Sequence, residues 1–184
     1  MNLRLATPAD AEAIAALHAA SWRSTYDSVL SAAYLEKSVP SERRAVWAQR
    51  LASPKGNQYM VVAEKKAVMV GFACVFVAEH AERGSYLDNL HVSSVLQGQG
   101  VGTALVSNVA QWCERQAPGR GLYLSVNQGN YRAQKFYFHL GARNAEAGVW
   151  NAPDGSIVPT YWFVWDSVVP LAAKAANLLF QPTP

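Results

Sequence analysis

Cysteine is nearly absent from this chain, which has two in 184 residues. Cys74 stands in an apolar strand-like run, and Cys113 stands beside Trp112 in a helix-like run. With no CxxC and no adjoining histidine, the pattern argues against a disulfide framework and against a metal site. Two isolated apolar thiols fit a reducing, cytoplasmic compartment. Long hydrophobic runs are missing as well. The longest uncharged apolar stretch, Ala67 to Ala78, contains Gly71 and falls well short of the ~20 residues that span a bilayer. Met1 to Asp10 carries no apolar signal core, so no membrane partner is expected. Basic clustering stops at Lys65-Lys66, and 16 Lys and Arg against 13 Asp and Glu leave a formal charge of only +3. A nucleic-acid face would normally show clustered cations, so no nucleic-acid partner is expected either. Repeats, low-complexity blocks and linkers are lacking, and 51% apolar with 16% charged residues is the composition of one globular domain.

What the chain does have is a glycine-rich passage, Gln97-Gly98-Gln99-Gly100-Val101-Gly102. It follows the strand-like run Tyr86 to Val92 and opens a helix-like run, Val101 to Gln116. Glycines at such a passage let backbone approach a ligand that a β-carbon would obstruct. The bare amides of a helix N-terminus attract an anion, most often a phosphate. No Lys-Ser/Thr follows, which excludes the phosphate loop of NTPases. The spacing also departs from the dinucleotide fingerprint, and no acidic residue ends a next strand about 20 residues on.

Around this loop the periodicity gives the element order. Asn2 to Leu5 is a short strand. Thr7-Pro8-Ala9-Asp10 combines a capping Thr, a Pro at the first helical position and an acid at the capping-box position. The helix that follows carries His18, Trp22 and Tyr26 at intervals of four, and a second helix spans Ser41 to Leu51 with Val46, Trp47 and Leu51 inward. Gln58 to Glu64 and Ala67 to Glu79 form a hairpin at Lys65-Lys66, its second strand apolar enough to be covered on both faces. After the glycine loop and its helix come a strand from Gly121 to Val126 and a helix with Ala133, Phe136, Tyr137 and Leu140 on one face, stopped by Gly141. Two last strands lie near Ala142 to Trp150 and Val158 to Trp165, joined by the turn Pro153-Asp154-Gly155. The order βααβββαβαββ predicts an α/β fold of mixed α+β type. It is one domain over residues 1–167, a central twisted mixed sheet of about seven strands with helices on both faces. Residues 168–184 form an Ala/Leu-rich tail that holds a short amphipathic helix and frays at Gln181-Pro182-Thr183-Pro184.

From Leu3 to Trp165 the chain resembles the GNAT superfamily of N-acetyltransferases. The resemblance rests on Leu90-His91-Val92 followed by Gln97-Gly98-Gln99-Gly100-Val101-Gly102, and on Asn130-Tyr131-Arg132-Ala133-Gln134-Lys135-Phe136-Tyr137 closing in Leu140-Gly141-Ala142. Ala142 replaces the usual aromatic. The resemblance implies an acyltransferase moving acetyl from acetyl-CoA, without a metal, to a primary amine of a small-molecule or protein acceptor, by direct attack through a ternary complex. A non-catalytic acyl-CoA sensor on the same fold, dimeric through its tail, is the alternative.

It also implies the roles of residues. The amide-rich pantetheine arm would pair with the backbone of Leu90, His91 and Val92, in a slot that a bulge opens by splaying this strand from the next. The pyrophosphate would sit on Gln97, Gly98, Gln99, Gly100, Val101, Gly102 and Thr103. Tyr137 matches the family's Tyr beside the sulfur, whose phenol, with an ordinary pKa near 10, can protonate the departing thiolate; by periodicity alone it is a core residue. Asn130 matches the family's arm-contacting Asn and is equally a helix cap. Tyr86 stands where many members have a basic Glu, leaving Asp88 as the nearest carboxylate. Its strand parity with Leu90 and Val92 predicts that it points with them. Deprotonation through water is the other route. Trp22 and Tyr26 lie where the first helices cover the acceptor groove; an aromatic stripe at that spacing also suits a core.

Overall fold

The computed structural model describes residues 1–179; the Gln181 to Pro184 end lies outside the described residues. The chain runs through β1 (Asn2–Leu5), α1 (Ala11–Thr25), α2 (Val39–Ala52), β2 (Gln58–Lys65), β3 (Val68–His80) and β4 (Gly84–Val92). It continues through α3 (Val101–Gln116), β5 (Leu122–Asn127), α4 (Tyr131–His139), β6 (Arg143–Asn151), β7 (Ile157–Trp165) and α5 (Val169–Leu179). The order read from periodicity is reproduced, with α5 added behind it. A π-helical segment, Tyr34–Ser38, leads into α2.

The described strands make one seven-stranded sheet in the order β1-β2-β3-β4-β5-β7-β6. Every neighbouring pair is antiparallel except β4 and β5, which are parallel and joined through α3. Parallel neighbours need such a crossover, because a tight turn can only reverse the chain. The apolar strand β3 is central, as its two-sided hydrophobicity requires. On one face Phe72, Cys74 and Phe76 pack with Ile14 of α1 and Trp47 of α2. On the other, Ala73 and Val75 join Leu105 and Val109 of α3, Leu122 and Leu124 of β5, and Tyr137 of α4. Burying one large apolar side chain such as Trp47 or Phe72 is worth roughly 2–3 kcal/mol. α5 lies against α3: Val168 and Leu171 belong to the main core, and Gln111 Nε2 donates to the Ala172 carbonyl at 3.1 Å. Among the described residues, no helix is long and apolar enough to cross a membrane.

Two local features position the site. First, β4 bulges at Asp88: Asn89 pairs with Cys74 and Leu87 with Val75, so one residue of β4 has no partner on β3. Second, β4 and β5 pair only at Ser85–Leu122 and Tyr86–Tyr123, after which they part. Their closed end is a backbone crossing. A β-carbon on Gly84 (φ +85°) would stand 2.1 Å from the Gly121 carbonyl oxygen, and one on Gly121 would stand 2.6 Å from the Trp165 carbonyl oxygen. Only glycine fits both places.

The N-terminal corner is held by ionic hydrogen bonds. Arg4 donates to both oxygens of Asp10 at 2.8 Å and to Glu64 Oε1 at 2.5 and 3.0 Å. Asp10 Oδ2 also accepts from the Thr7 amide at 2.7 Å and from Thr7 Oγ1 at 2.9 Å, the arrangement expected from the Thr7-x-x-Asp10 pattern. Led by the Arg4 bond, these contacts hold the Asp10 pKa down from 3.8 to about 2. A carboxyl depressed in the folded state adds stability above its unfolded pKa and loses it as pH falls through the folded value. Asp10→Asn should therefore cost about 1–2 kcal/mol in urea unfolding at pH 7. The gap between variant and parent should narrow as pH drops from 4 toward 2; a gap independent of pH would show that the charge is not what stabilises the corner.

Candidate active site

The parting of β4 from β5 leaves two cavities that meet in the middle of the sheet. One, of about 840 Å³, runs from Leu90, His91 and Val92 to the glycine loop, where Gln97, Gly98, Gly100, Gly102 and Thr103 line it. The other, of about 510 Å³, opens among Trp22, Tyr26, Arg43, Tyr86, Trp150 and Trp162. Leu90, His91, Asn130, Ala133 and Tyr137 line both. A ligand in the first can thus present its end to a second ligand in the other.

The glycine loop is built as its sequence requires. Gly98 and Gly100 both have φ +82°, and no atom lies within 4 Å of where their β-carbons would stand. That open concavity ends on the first amides of α3, whose dipole favours an anion. Two of the residues expected there contribute differently. Val101 is 5% exposed, its side chain in the core against β3, and Gln99 Nε2 folds back on the Val95 carbonyl at 3.3 Å. Neither side chain lines the cavity, so these two residues offer only backbone. Gln97 lines the cavity while its Nε2 donates to the Val92 carbonyl at 3.2 Å, bracing the loop against β4.

Tyr137 is the core residue that its helical periodicity predicts. Its ring packs in the core near Phe136, Phe163 and Trp165, and the residue also borders both cavities. Burial first, then the neighbouring phenols of Tyr26 and Tyr86, raise its pKa above the ordinary 10. Its hydroxyl keeps its proton across the neutral range. Asn130 likewise combines roles: its Oδ1 accepts from the Ala133 amide at 3.0 Å as the cap of α4, while the residue borders both cavities. α4 ends at Gly141 (φ +90°) with the Ala142 amide on the Tyr137 carbonyl and the Gly141 amide on the Phe138 carbonyl. Tyr137 is therefore fixed on a short helix capped at both ends.

Asp88 faces differently from its strand parity. Leu87 and Leu90, three residues apart, both pack on the α3 side, which is possible only because the bulge at Asp88 shifts the alternation. Asp88 instead turns to α2, where its Oδ2 receives Arg50 Nη1 at 2.5 Å and Asn89 Nδ2 at 2.5 Å. It does line the aromatic cavity. Tyr86, at the position of the family's Glu, lies with its ring 5.0 Å from that of Tyr123, and burial raises its phenol pKa. It is no base.

Two histidines, His18 and His91, pack together at the junction with ring centroids 4.4 Å apart and planes tilted by 34°. His18 Nδ1 accepts from the Trp47 indole N–H at 2.9 Å, and His91 Nδ1 lies 2.8 Å from Ser21 Oγ. Burial, then the Arg43 charge, pushes the His91 pKa down to about 4, and His18 is lowered further by burial and by His91. Both imidazoles are neutral at pH 7. Trp22 and Tyr26 line the cavity and pack with each other and with Trp150, each ring pair 5.5 Å apart, so their stripe is at once core and wall. Sequence reading missed Arg43, Arg50 and Trp162. The signal was present for the arginines: Arg43, Trp47 and Arg50 recur at i, i+4 and i+7 and share one face of α2.

Residues 15–142 match the model of the Acetyltransferase (GNAT) family. A search among curated proteins finds no significant match. Among solved structures, the chain is similar to the PaiA N-acetyltransferase from Thermoplasma acidophilum in complex with coenzyme A, with TM-score 0.68 and 15% identity over 86% of this chain and 96% of that one. It is similar also to a GCN5-related N-acetyltransferase from Rhodopseudomonas palustris, with TM-score 0.69 and 21% identity over 89% and 93% of the two chains. A third likeness is to a ribosomal-protein-alanine N-acetyltransferase from Brucella melitensis, with TM-score 0.67 and 18% identity over 90% and 99%. At these identities the structural likeness concerns the fold, and the family is carried by the sequence match. The sheet that opens between β4 and β5, the glycine loop at its mouth and a family match over well more than half of the chain lead to one conclusion: this protein belongs to the acetyltransferase (GNAT) family and is an enzyme of acetyl transfer.

Proposed function

We propose that the enzyme transfers the acetyl group of acetyl-CoA to a primary amine by direct attack within a ternary complex, with Tyr137 protonating the departing thiolate. The observation that carries this is the meeting of the two cavities at Leu90, His91 and Tyr137. The larger cavity fits coenzyme A. Its far end is the open cradle at Gly98 and Gly100, suited to a pyrophosphate, and its walls include the β4 edge that β5 leaves unpaired, suited to an amide-bearing arm. Leu90, His91, Val92, Gln97, Gly98, Gly100, Gly102, Thr103 and Asn130 would hold it there, with the backbone of Gln99 and Val101 at the helix start. When bound, acetyl-CoA supplies an activated acetyl thioester.

The residues of the chain then have three tasks. Backbone amide near Leu90 to Val92 polarises the carbonyl under attack. Asp88 offers Oδ1, since its two hydrogen bonds fall on Oδ2, to take the ammonium proton through cavity water. Tyr137, always protonated at neutral pH, gives its proton to sulfur as the C–S bond breaks. The thiols are unsuited to a covalent route: Cys74 and Cys113 are buried in the two cores, and burial pushes Cys74 up to about 12.

Coenzyme A at about 100 times its dissociation constant should stabilise the protein by about 2.7 kcal/mol in a thermal-shift assay. NAD and ATP at equal concentration should not; stabilisation by either, with none by coenzyme A, would overturn the proposal. In free-thiol release assays with a panel of amines, Tyr137→Phe should lower kcat by about 10²-fold while leaving the coenzyme A thermal shift in place. Unchanged turnover in that variant would remove Tyr137 from its role.

A further inference from the structure

On the wall of the acceptor-side cavity stands a buried cation with an unfilled hydrogen-bond donor. Arg43 projects from α2 with its side chain only 15% exposed. Its Nε is buried and has no hydrogen-bond partner among the described residues. The nearest carboxylate, Glu42, stands 3.7 Å from the guanidinium, beyond hydrogen-bond reach, and its Oε2 already accepts the Tyr34 hydroxyl at 2.6 Å. The other arginine of this wall, Arg50, is paired with Asp88. One face of the Arg43 guanidinium lies over the Trp22 ring, its carbon 4.6 Å from the centroid, which orients the fork and leaves its edge free to donate. Leaving a buried donor of a charged group unpaired costs more than leaving a neutral one, so such a group marks a place where a ligand completes the bonding.

Resting on the acetyl-transfer reading above, we propose that the acceptor is a small amine that also bears a carboxylate, and that Arg43 receives this carboxylate and so determines specificity. The anion of coenzyme A is not a rival for it. Arg43 lines the aromatic cavity and not the one that ends on the glycine loop. A guanidinium fork matches a carboxylate with two parallel hydrogen bonds. An acceptor anchored there has its carbon frame against Trp22, Tyr26 and Trp150, and its amine directed toward Tyr137, which lines the same cavity. The neighbouring imidazoles of His18 and His91 are neutral, so the positive charge that the cavity presents beside the Arg50–Asp88 pair is that of Arg43, which stands 3.7 Å from Glu42 without a hydrogen bond to it. A volume of about 510 Å³ is that of a small-molecule site.

The test compares matched acceptors in the free-thiol assay: methionine, phenylalanine and glycine against their carboxamides, and a C-terminally amidated peptide with a free N-terminus. The carboxylates should be preferred at least tenfold in kcat/KM, the difference lying mainly in KM. In Arg43→Met this acid-to-amide ratio should fall toward one, and Arg43→Lys should restore part of it. The coenzyme A thermal shift, read on each variant, shows that the donor site and the fold are intact. Equal use of acids and amides by the parent enzyme, preference for the amidated peptide, or a ratio unchanged in Arg43→Met would overturn the inference while leaving acetyl transfer standing. Absence of both a coenzyme A shift and thiol release with every amine would overturn both. A second measurement needs no turnover: with coenzyme A present, N-acetylphenylalanine should quench the tryptophan fluorescence of the cavity saturably. Its carboxamide should not, and Arg43→Met should lose the effect; equal titration by acid and amide would again refute the role of Arg43.

Discussion

Strands β4 and β5 are hydrogen-bonded only at Ser85–Leu122 and Tyr86–Tyr123, and the space beyond is where everything chemical in this protein is arranged. The opening is a consequence of local constraints on either side of it. At the closed end, the chain crosses itself so tightly at Gly84 and Gly121 that a β-carbon on either would strike backbone. Just beyond, the bulge at Asp88 bends β4 and increases its twist, as an extra residue in one strand does. A parallel pair joined through α3 can diverge in this way because no short turn binds the strands at their far ends. Divergence leaves a row of unpaired amides and carbonyls on β4, ordinarily a liability in a sheet. An extended amide-bearing ligand, as proposed for the arm of coenzyme A, would resolve it.

The same bulge divides the labour between the two faces. By shifting the alternation it sends Leu87 and Leu90 into the α3-side core and Asp88 toward α2, where Arg50 meets it. The cavity on the α2 side is consequently lined by groups that must coexist in little water: one ion pair, two neutral imidazoles, several aromatic rings and the buried Arg43. Burial and the nearby guanidinium disfavour further positive charge there, and this is why the histidines are held neutral. Tyr137 adds a hydroxyl that keeps its proton for the same reason.

Much of the fold was legible in the sequence because the signals are short-range. The stripe Ala133, Phe136, Tyr137 and Leu140 ending in Gly141, the Thr7-Pro8-x-Asp10 helix start and the two-sided apolarity of β3 each depend on neighbours within a few residues or on simple burial. Strand parity at Asp88 misled, because a bulge is a property of the β3–β4 pairing and has no mark in β4 alone. Gln99 and Val101, assigned to the ligand by their motif, keep their backbone at the loop while their side chains serve the loop and the core. A motif specifies where backbone must go, and side chains within it follow local packing.

The sequence by itself determined the glycine loop, the helix it opens, the capped helix carrying Tyr137 and, through their joint resemblance, the family. These are contiguous segments whose conformations are fixed by backbone sterics and by hydrogen bonds over a few residues. Only the tertiary structure decided the aromatic cavity: that Arg43 and Arg50 of α2, Trp150 of β6 and Trp162 of β7 share one space, that His18 lies against His91, and that Asp88 faces α2. Those residues come from distant parts of the chain. Their meeting depends on sheet order, on one bulge and on the parting of two strands, and none of these is encoded by any single stretch of residues.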